Sequence, residues 1–267
     1  MKKILLLILF TLISIKGYCA IITDGSSQYV LTPYGSWYSL SNMGNFTLSC
    51  WIKIVGITDV FPIIIGDQTT TNNAGVQIYY LSPNHCLAYS NTISGEQQFT
   101  PTNGVLVGTW YFVTINYNSS TKDGKLYING DLSKGCSVNF SAGLPSSNRG
   151  ISWGGETNQR FYGKVCDVIV YNRLLSNNEI LSCYVQPIID NSVVGLWRVD
   201  ENSGTTIYSY AVTKFNGNAT YWGSTWDNDY PPVITNYMNI EGSNNKFWDN
   251  PIDVLVKLIK DICNWDS

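Results

Sequence analysis

An all-β fold, two antiparallel sheets packed as a sandwich with a short C-terminal helical tail, is what this sequence predicts. Three observations carry that expectation. Apolar and polar residues alternate with a period of two over many short runs. Gly, Asn and Asp turns separate those runs at close intervals. Aromatic residues reach 13% of the chain while charged residues also stop at 13%, which suits pleated, half-buried surfaces better than solvated helices. Sheets of this kind bury their apolar faces by stacking, so a sandwich follows.

The elements run in order. Residues 22–31 (ITDGSSQYVL) read as a turn followed by a strand. Residues 46–54 (FTLSCWIKI) form a strong strand in which Phe46, Leu48, Cys50 and Ile52 share one face. Residues 60–66 and 75–81 give two more strands split by a polar turn, and 86–100 hold a strand and an edge. Within 109–118, Val113, Ile115 and Tyr117 alternate with Phe112, Thr114 and Asn116. Asp123-Gly124 is a hairpin signal, and Asn129-Gly130 makes the next tight turn. Residues 149–154 and 161–171 are the last strands of this block. Ser176 is an N-cap for a short helix over 176–184, with Glu179 at capping-box spacing. Residues 193–200 resume strand character, 202–232 are turn-rich, and Pro231-Pro232 marks a boundary. Beyond it, Ile252, Leu255, Ile259 and Ile262 recur at helical spacing after Pro251. That helix packs either on the sandwich or on a partner chain.

The organisation expected is a signal peptide (1–20), a sandwich (21–232, with its core at 22–184 and an additional strand element at 193–232) and a tail with an amphipathic helix (233–267). Lys2 and Lys3 precede an apolar run at 4–15, and Gly17, Cys19 and Ala20 follow it, the pattern of a secretory signal. The run is too short to span a bilayer comfortably, so no stable membrane span is expected after cleavage. Cys19 also admits lipidation, against which Lys16 and Tyr18 argue. The predicted location is secreted or extracytoplasmic, in a periplasm or at a cell surface. Export permits disulfides among Cys50, Cys86, Cys136, Cys166, Cys183 and Cys263, with the pairing left open. Cys50 and Cys166 lie in apolar strands, where buried free thiols are the alternative.

Composition also excludes. Formal net charge is −3 with no block of Lys and Arg, so no nucleic-acid groove is expected. There is one His and no CxxC, which argues against zinc. No nucleophile–base set and no acidic cluster on one strand appears. The acid pairs Asp200-Glu201 and Asp227/Asp229 fall in turn-rich sequence. No enzymatic activity is expected.

Four segments in register carry a resemblance: TDGSSQYV, NFTLSCWIK, GTWYFVTINYNSSTKDGKLYINGDL and FYGKVCDVIVYNRLLSNNEI. Together they resemble the laminin-G-like, concanavalin A-like jelly roll of the lectin/glucanase superfamily. The stretch VVGLWRVDENSGTTIYSYAVTKFNGNATYWGSTWDNDYP resembles an element that often begins such a domain; here it follows one, and is expected to pack beside the sandwich or complete an edge. The resemblance implies a calcium ion near one sheet edge, with Asp24 and Asp167 at the matching acidic positions. The alternative is that Asp24 makes an Asx turn and Asp167 accepts backbone bonds.

A glycan surface is the remaining chemistry, built from stacking rings and amide hydrogen bonds. Strand parity puts Tyr79, Asn116, Tyr127 and Asn129 outward if Ile78, Ile115, Leu126 and Ile128 face the core. Trp153, in a Gly-rich stretch, caps such a groove or packs in the interior. The function expected is an exported, non-catalytic module for carbohydrate binding or adhesion at a cell or virion surface. Its partner is a glycan or a surface protein, and oligomers are allowed. The alternatives are an assembly protein that docks a partner through its tail and, behind it, a polysaccharide hydrolase.

Overall fold

Alternation places Phe46, Leu48, Cys50, Ile52 and Ile54 on one side of the strand Phe46–Gly56, and Thr47, Ser49, Trp51 and Lys53 on the other. In the computed structural model all of them except Lys53 are buried, so both faces of this strand are covered. The structure describes residues 20–35, 39–58, 62–67, 75–81, 86–91, 95–99, 105–140, 143–144, 146, 148–155, 159–211, 217–223, 225–229 and 231, with 81, 86–91 and 95–99 as backbone. Residues 1–19 of the expected signal, the tail 233–267 and His85 lie outside them.

The strands are β1 (Ala20–Asp24), β2 (Val30–Leu31), β3 (Phe46–Gly56), β4 (Ile63–Gly66), β5 (Val76–Leu81), β6 (Cys86–Asn91), β7 (Gly95–Phe99) and β8 (Trp110–Asn118). They continue as β9 (Asp123–Ile128), β10 (Asp131–Asn139), β11 (Ser152–Trp153), β12 (Tyr162–Tyr171), β13 (Val193–Trp197), β14 (Thr206–Ile207), β15 (Ala219–Tyr221) and β16 (Trp226–Asp227). One sheet runs β10-β9-β8-β3-β12-β1-β16, with β13 on the far end of β12; the other runs β14-β15-β2-β11-β4-β5-β6-β7. All pairings are antiparallel. This is the two-sheet antiparallel sandwich that the alternating pattern predicts, and the jelly roll that the resemblance implies. Between the sheets, Trp153 of the second packs on Trp197 of the first, ring centroids 6.0 Å apart.

The outer face of the first sheet is closed by helix α1 (Asn177–Val185). Ser176 caps it as the sequence predicts: its Oγ accepts from Glu179 N at 3.3 Å, and Glu179 Oε2 accepts from Ser176 N at 2.8 Å. Arg173 bridges Glu179 at 2.8 Å and Asp190 at 3.0 Å, fixing both ends of the segment. The helix buries Ile180 and Cys183. Its Tyr184 packs on Trp51 of β3 and Phe112 of β8. It passes close over Gly130, where a Cβ would stand 3.0 Å from Leu181 Cα.

Two local expectations change. The hairpin before β9 turns on residues 119–122, with Lys122 at φ +59°, while Asp123 and Gly124 already pair with Asn118 and Tyr117. Asn118 makes the difference, its Oδ1 accepting from Ser120 N and Thr121 N. The second concerns disulfides: none joins Cys50, Cys136, Cys166 and Cys183 to one another, and the side chains of Cys86 and Cys263 lie outside those described. Cys50 and Cys166 sit on neighbouring strands but on opposite faces, since Cys166 pairs with Trp51 rather than Cys50. Burial pushes the Cys50 thiol up to about 12, so it stays protonated. Asn129 and Gly130 do form the expected tight turn, at φ +54° and +78°.

The 193–232 element adds to both sheets. β13 pairs with β12, β16 pairs with β1, and the β14–β15 ribbon extends the second sheet through β2.

Candidate ligand-binding surface

The β14–β15 ribbon has one buried face and one open face. Ile207, Ala219 and Tyr221 are buried. By the same alternation Thr206, Tyr208, Asn218, Thr220 and Trp222 are exposed. Trp222 is 56% exposed although it is a large aromatic. Tyr221 and Trp222 are consecutive on an extended segment, so one faces the core and the other faces away. The buried Tyr221 hydroxyl lies 2.6 Å from Ile22 O, 2.9 Å from Thr225 O and 3.2 Å from Gln28 Oε1. It ties the ribbon to the opening turn.

That turn holds the second ring. Asp24 Oδ1 accepts from the backbone N–H groups of Ser26 (2.9 Å), Ser27 (2.8 Å) and Gln28 (2.9 Å). Its Oδ2 accepts from the hydroxyls of Ser26 and Ser27. Burial pushes the carboxyl up, but these bonds outweigh it and hold it well below the usual carboxylate range. Gly25, at φ +68°, lets the chain reverse tightly against Thr58. Tyr29 then emerges opposite Trp222, and Trp222 N donates to Tyr29 O at 2.7 Å. Their rings stack with centroids 5.9 Å apart and planes 14° apart. The Arg160 guanidinium lies 5.1 Å from the Tyr29 centroid and donates to Gly155 O at 2.8 Å. The result is a Tyr29–Trp222 stack with the Arg160 guanidinium over the Tyr29 ring. Tyr208, 55% exposed, stands four residues along the neighbouring strand from the position opposite Trp222, roughly 13 Å away.

The residues expected to form a groove sit elsewhere. Parity is as predicted for Asn116 and Tyr127, which point away from the sandwich interior. The face they point to is nevertheless covered by α1 and the segment leading into it. Asn116 is 7% exposed, accepts from Thr47 Oγ1 and donates to Leu175 O at 2.9 Å. Tyr127 is 1% exposed and donates its hydroxyl proton to Asn177 Oδ1 at 3.0 Å. Both groups hold the helix down. Asn129 ties its turn to β8, its Oδ1 accepting from Phe112 N at 2.9 Å. Tyr79 lies on the second sheet, also away from the core, and is 3% exposed. Trp153 takes its interior alternative beside Trp197. The five do not form one open surface.

The two acids do not form one calcium site. Asp24 pairs with Tyr162, five residues from Asp167 along β12, which separates them by roughly 15 Å. Calcium–oxygen bonds are about 2.3–2.6 Å, so no single ion reaches both. Asp24 already accepts five hydrogen bonds. Asp167 occupies a bulge at φ +49°, where Cys166 pairs with Trp51 and Ile169 with Ser49. Burial pushes its carboxyl up to about 7, against the attraction of Arg198 and together with the repulsion of Asp200. Among the described residues no three or more His, Cys, Asp or Glu gather at metal-binding distance.

Sequence reading missed Trp222, Tyr29 and Arg160. The adjacent aromatics of ATYWG were the available signal, because two large rings in succession on a strand cannot share a face.

A family model described as Laminin_G_3, concanavalin A-like lectin/glucanases superfamily, matches residues 24–181. No curated protein sequence matches the chain. Among solved structures, a candidate carbohydrate binding protein from Bacteroides ovatus superposes with TM-score 0.56 at 15% identity, over 77% of this chain and 60% of that one. The chain therefore spans less than two thirds of that protein. A heptameric SAP-like pentraxin from Limulus polyphemus superposes with TM-score 0.54 at 13% identity, over 79% of this chain and 95% of that one. At these identities the likeness is one of fold. No helix among the described residues is long and apolar enough to cross a membrane.

Proposed function

Because this chain belongs to the concanavalin A-like lectin/glucanase superfamily, we propose that it is an exported, non-catalytic module that binds carbohydrate on the Trp222–Tyr29 platform. The observation that carries the reading is a tryptophan 56% exposed yet braced by a stacked tyrosine. A pre-positioned ring loses little freedom on binding. Its open face suits the apolar CH face of a sugar ring. Thr206, Thr220 and Asn218 on the same side of the ribbon supply hydroxyl and amide partners for sugar hydroxyls. The site is open rather than enclosed, which fits retention of a glycan at a surface better than chemistry on it.

The carboxylates support a non-catalytic role. Glycoside hydrolysis needs a protonated acid facing an ionised carboxylate across the bond. Lys164 bridges Asp227 at 2.9 Å and Asp229 at 2.7 Å, and Lys53 bridges Asp229 at 2.7 Å. Burial pushes the Asp229 carboxyl up, but Lys164, Lys53 and Trp110 outweigh it and bring it down to about 2. Asp229 is therefore held ionised and is not a proton donor. Asp200 accepts from the Tyr210 hydroxyl and Glu201 from Tyr208 N, so both brace the ribbon.

A glycan array with the full chain and with Trp222→Ala tests the reading. Losing one stacked ring should weaken retention roughly 10- to 100-fold without changing the melting temperature appreciably. Retention of the same glycans at the unmodified chain's level by Trp222→Ala and by the Tyr29→Ala, Trp222→Ala double variant would sink it.

A further inference from the structure

We propose that the tail segment 251–265 docks as an amphipathic helix on the exposed apolar flank of α1 in the same molecule. Its surface lies on the first sheet, so the inference stands independently of the sugar platform. On α1, Leu181 is 53% and Val185 55% exposed, one helical turn apart. They border a shallow, mainly apolar depression of about 490 Å³ together with Ser182, Gln186, Pro187 and Ile188. Elsewhere this helix is well fitted to the sheet, with Ile180 and Cys183 buried and Tyr184 against two rings. Leu181, beside Gly130 at its root, and Val185 at the helix end still present more than half of their surface to water.

The place where the described chain ends identifies the occupant. Asp229 is anchored by Lys53, Lys164 and Trp110, all on the outer face of the first sheet. α1 crosses that same face. Its start lies near Asn116 and Tyr127, and its Tyr184 reaches Trp51 and Phe112. Lys53 and Trp110 each lie two residues further along β3 and β8 in that direction, about 7 Å beyond Trp51 and Phe112. The C-terminal end of α1, with Val185 and the depression, therefore points toward the chain exit. Residues 232–250 can extend to about 60 Å, far more than this gap needs. The segment they deliver carries Ile252, Leu255, Ile259 and Ile262 on one helical face, with Asp253, Lys257, Lys260 and Asp261 on the other. A tether this short keeps the stripe at a high effective concentration beside the flank.

Native digestion of the full chain with a lysine-specific protease tests the docking at Lys257 and Lys260. In a Leu181→Asp, Val185→Asp double variant, cleavage there should accelerate at least about tenfold, because two apolar contacts are lost. Both positions are exposed, so the sandwich itself should keep its circular dichroism. Equal cleavage rates in the two proteins overturn the proposal. Protection that disappears on dilution together with a dimeric mass also overturns it, since the tail would then sit on a second copy. As an independent arm, Leu255→Asp with Ile259→Asp leaves the sandwich untouched. Amide exchange of α1 should then quicken by a similar factor, and unchanged exchange overturns the proposal.

Discussion

The outer face of the first sheet and the open face of the β14–β15 ribbon obey the same alternation and end in opposite states. On the first sheet, Trp51 points away from the sandwich interior and is 3% exposed, because Tyr184 of α1 lies on it. On the ribbon, Trp222 also points away from the interior and is 56% exposed. Parity fixes which way a side chain points. Whether that side meets water depends on what the chain lays over it much later in sequence. A tryptophan under a helix is packing, and a tryptophan at an uncovered edge is available for recognition.

The largest expected effect tests that contrast directly. Trp51→Ala empties a contact with Phe112 and Tyr184 and should cost about 3–5 kcal/mol of stability. Trp222→Ala should cost less than about 1 kcal/mol. Denaturant unfolding of the two variants measures both values. Comparable losses would mean that the ribbon tryptophan is as structural as the other, and the contrast would fail.

A smaller effect concerns Asp167, buried where the first sheet bulges. Its carboxyl titrates at about 7 in the fold because burial disfavours the charge, and near 4 in an unfolded chain. Between those values the folded chain holds the extra proton. Stability is therefore highest below about pH 4 as far as this group is concerned, falls as pH rises, and levels off above about 7. Three pK units correspond to about 4 kcal/mol at most. Asp167→Asn removes that dependence while keeping a side chain tolerant of the left-handed backbone at φ +49°. It gives up the attraction to Arg198, so a net gain of roughly 1–3 kcal/mol at pH 8 is expected. Melting curves at pH 5 and pH 8 decide. A wild-type protein whose melting point does not fall between them would show that Asp167 is solvated or fully paired.

Much of the fold was legible because its causes are local. The alternation in FTLSCWIKI, the Asn129-Gly130 turn and the Ser176–Glu179 box each act within a few residues, and all three reappear in the structure. The family resemblance supplied the layer order that local pattern could not. The site was far less legible. Asn116 and Tyr127 were read correctly for direction and wrongly for openness, since the cover over them comes from residues 172–185. The stack of Tyr29 on Trp222 joins positions 193 residues apart through the β2–β15 pairing, and that register has no local signature. The resemblance put Asp24 at an acidic metal position, and its carboxylate makes the Asx turn that was the alternative there.

The smallest effect bears on the cover itself. Ser176 satisfies one of the orphan N–H groups at the start of α1, and Glu179 returns a bond to it. Ser176→Ala should cost about 1 kcal/mol. If the helix is what closes the first sheet, that loss should appear as faster amide exchange over 175–185 and along the middle of β8 and β9, where Asn116 and Tyr127 grip it. The β14–β15 ribbon should be unaffected, since it shares no hydrogen bond with the helix among those described. Faster exchange spread evenly over both sheets would instead mean that the cap acts on the whole sandwich, and that the covered and open faces are not separately controlled.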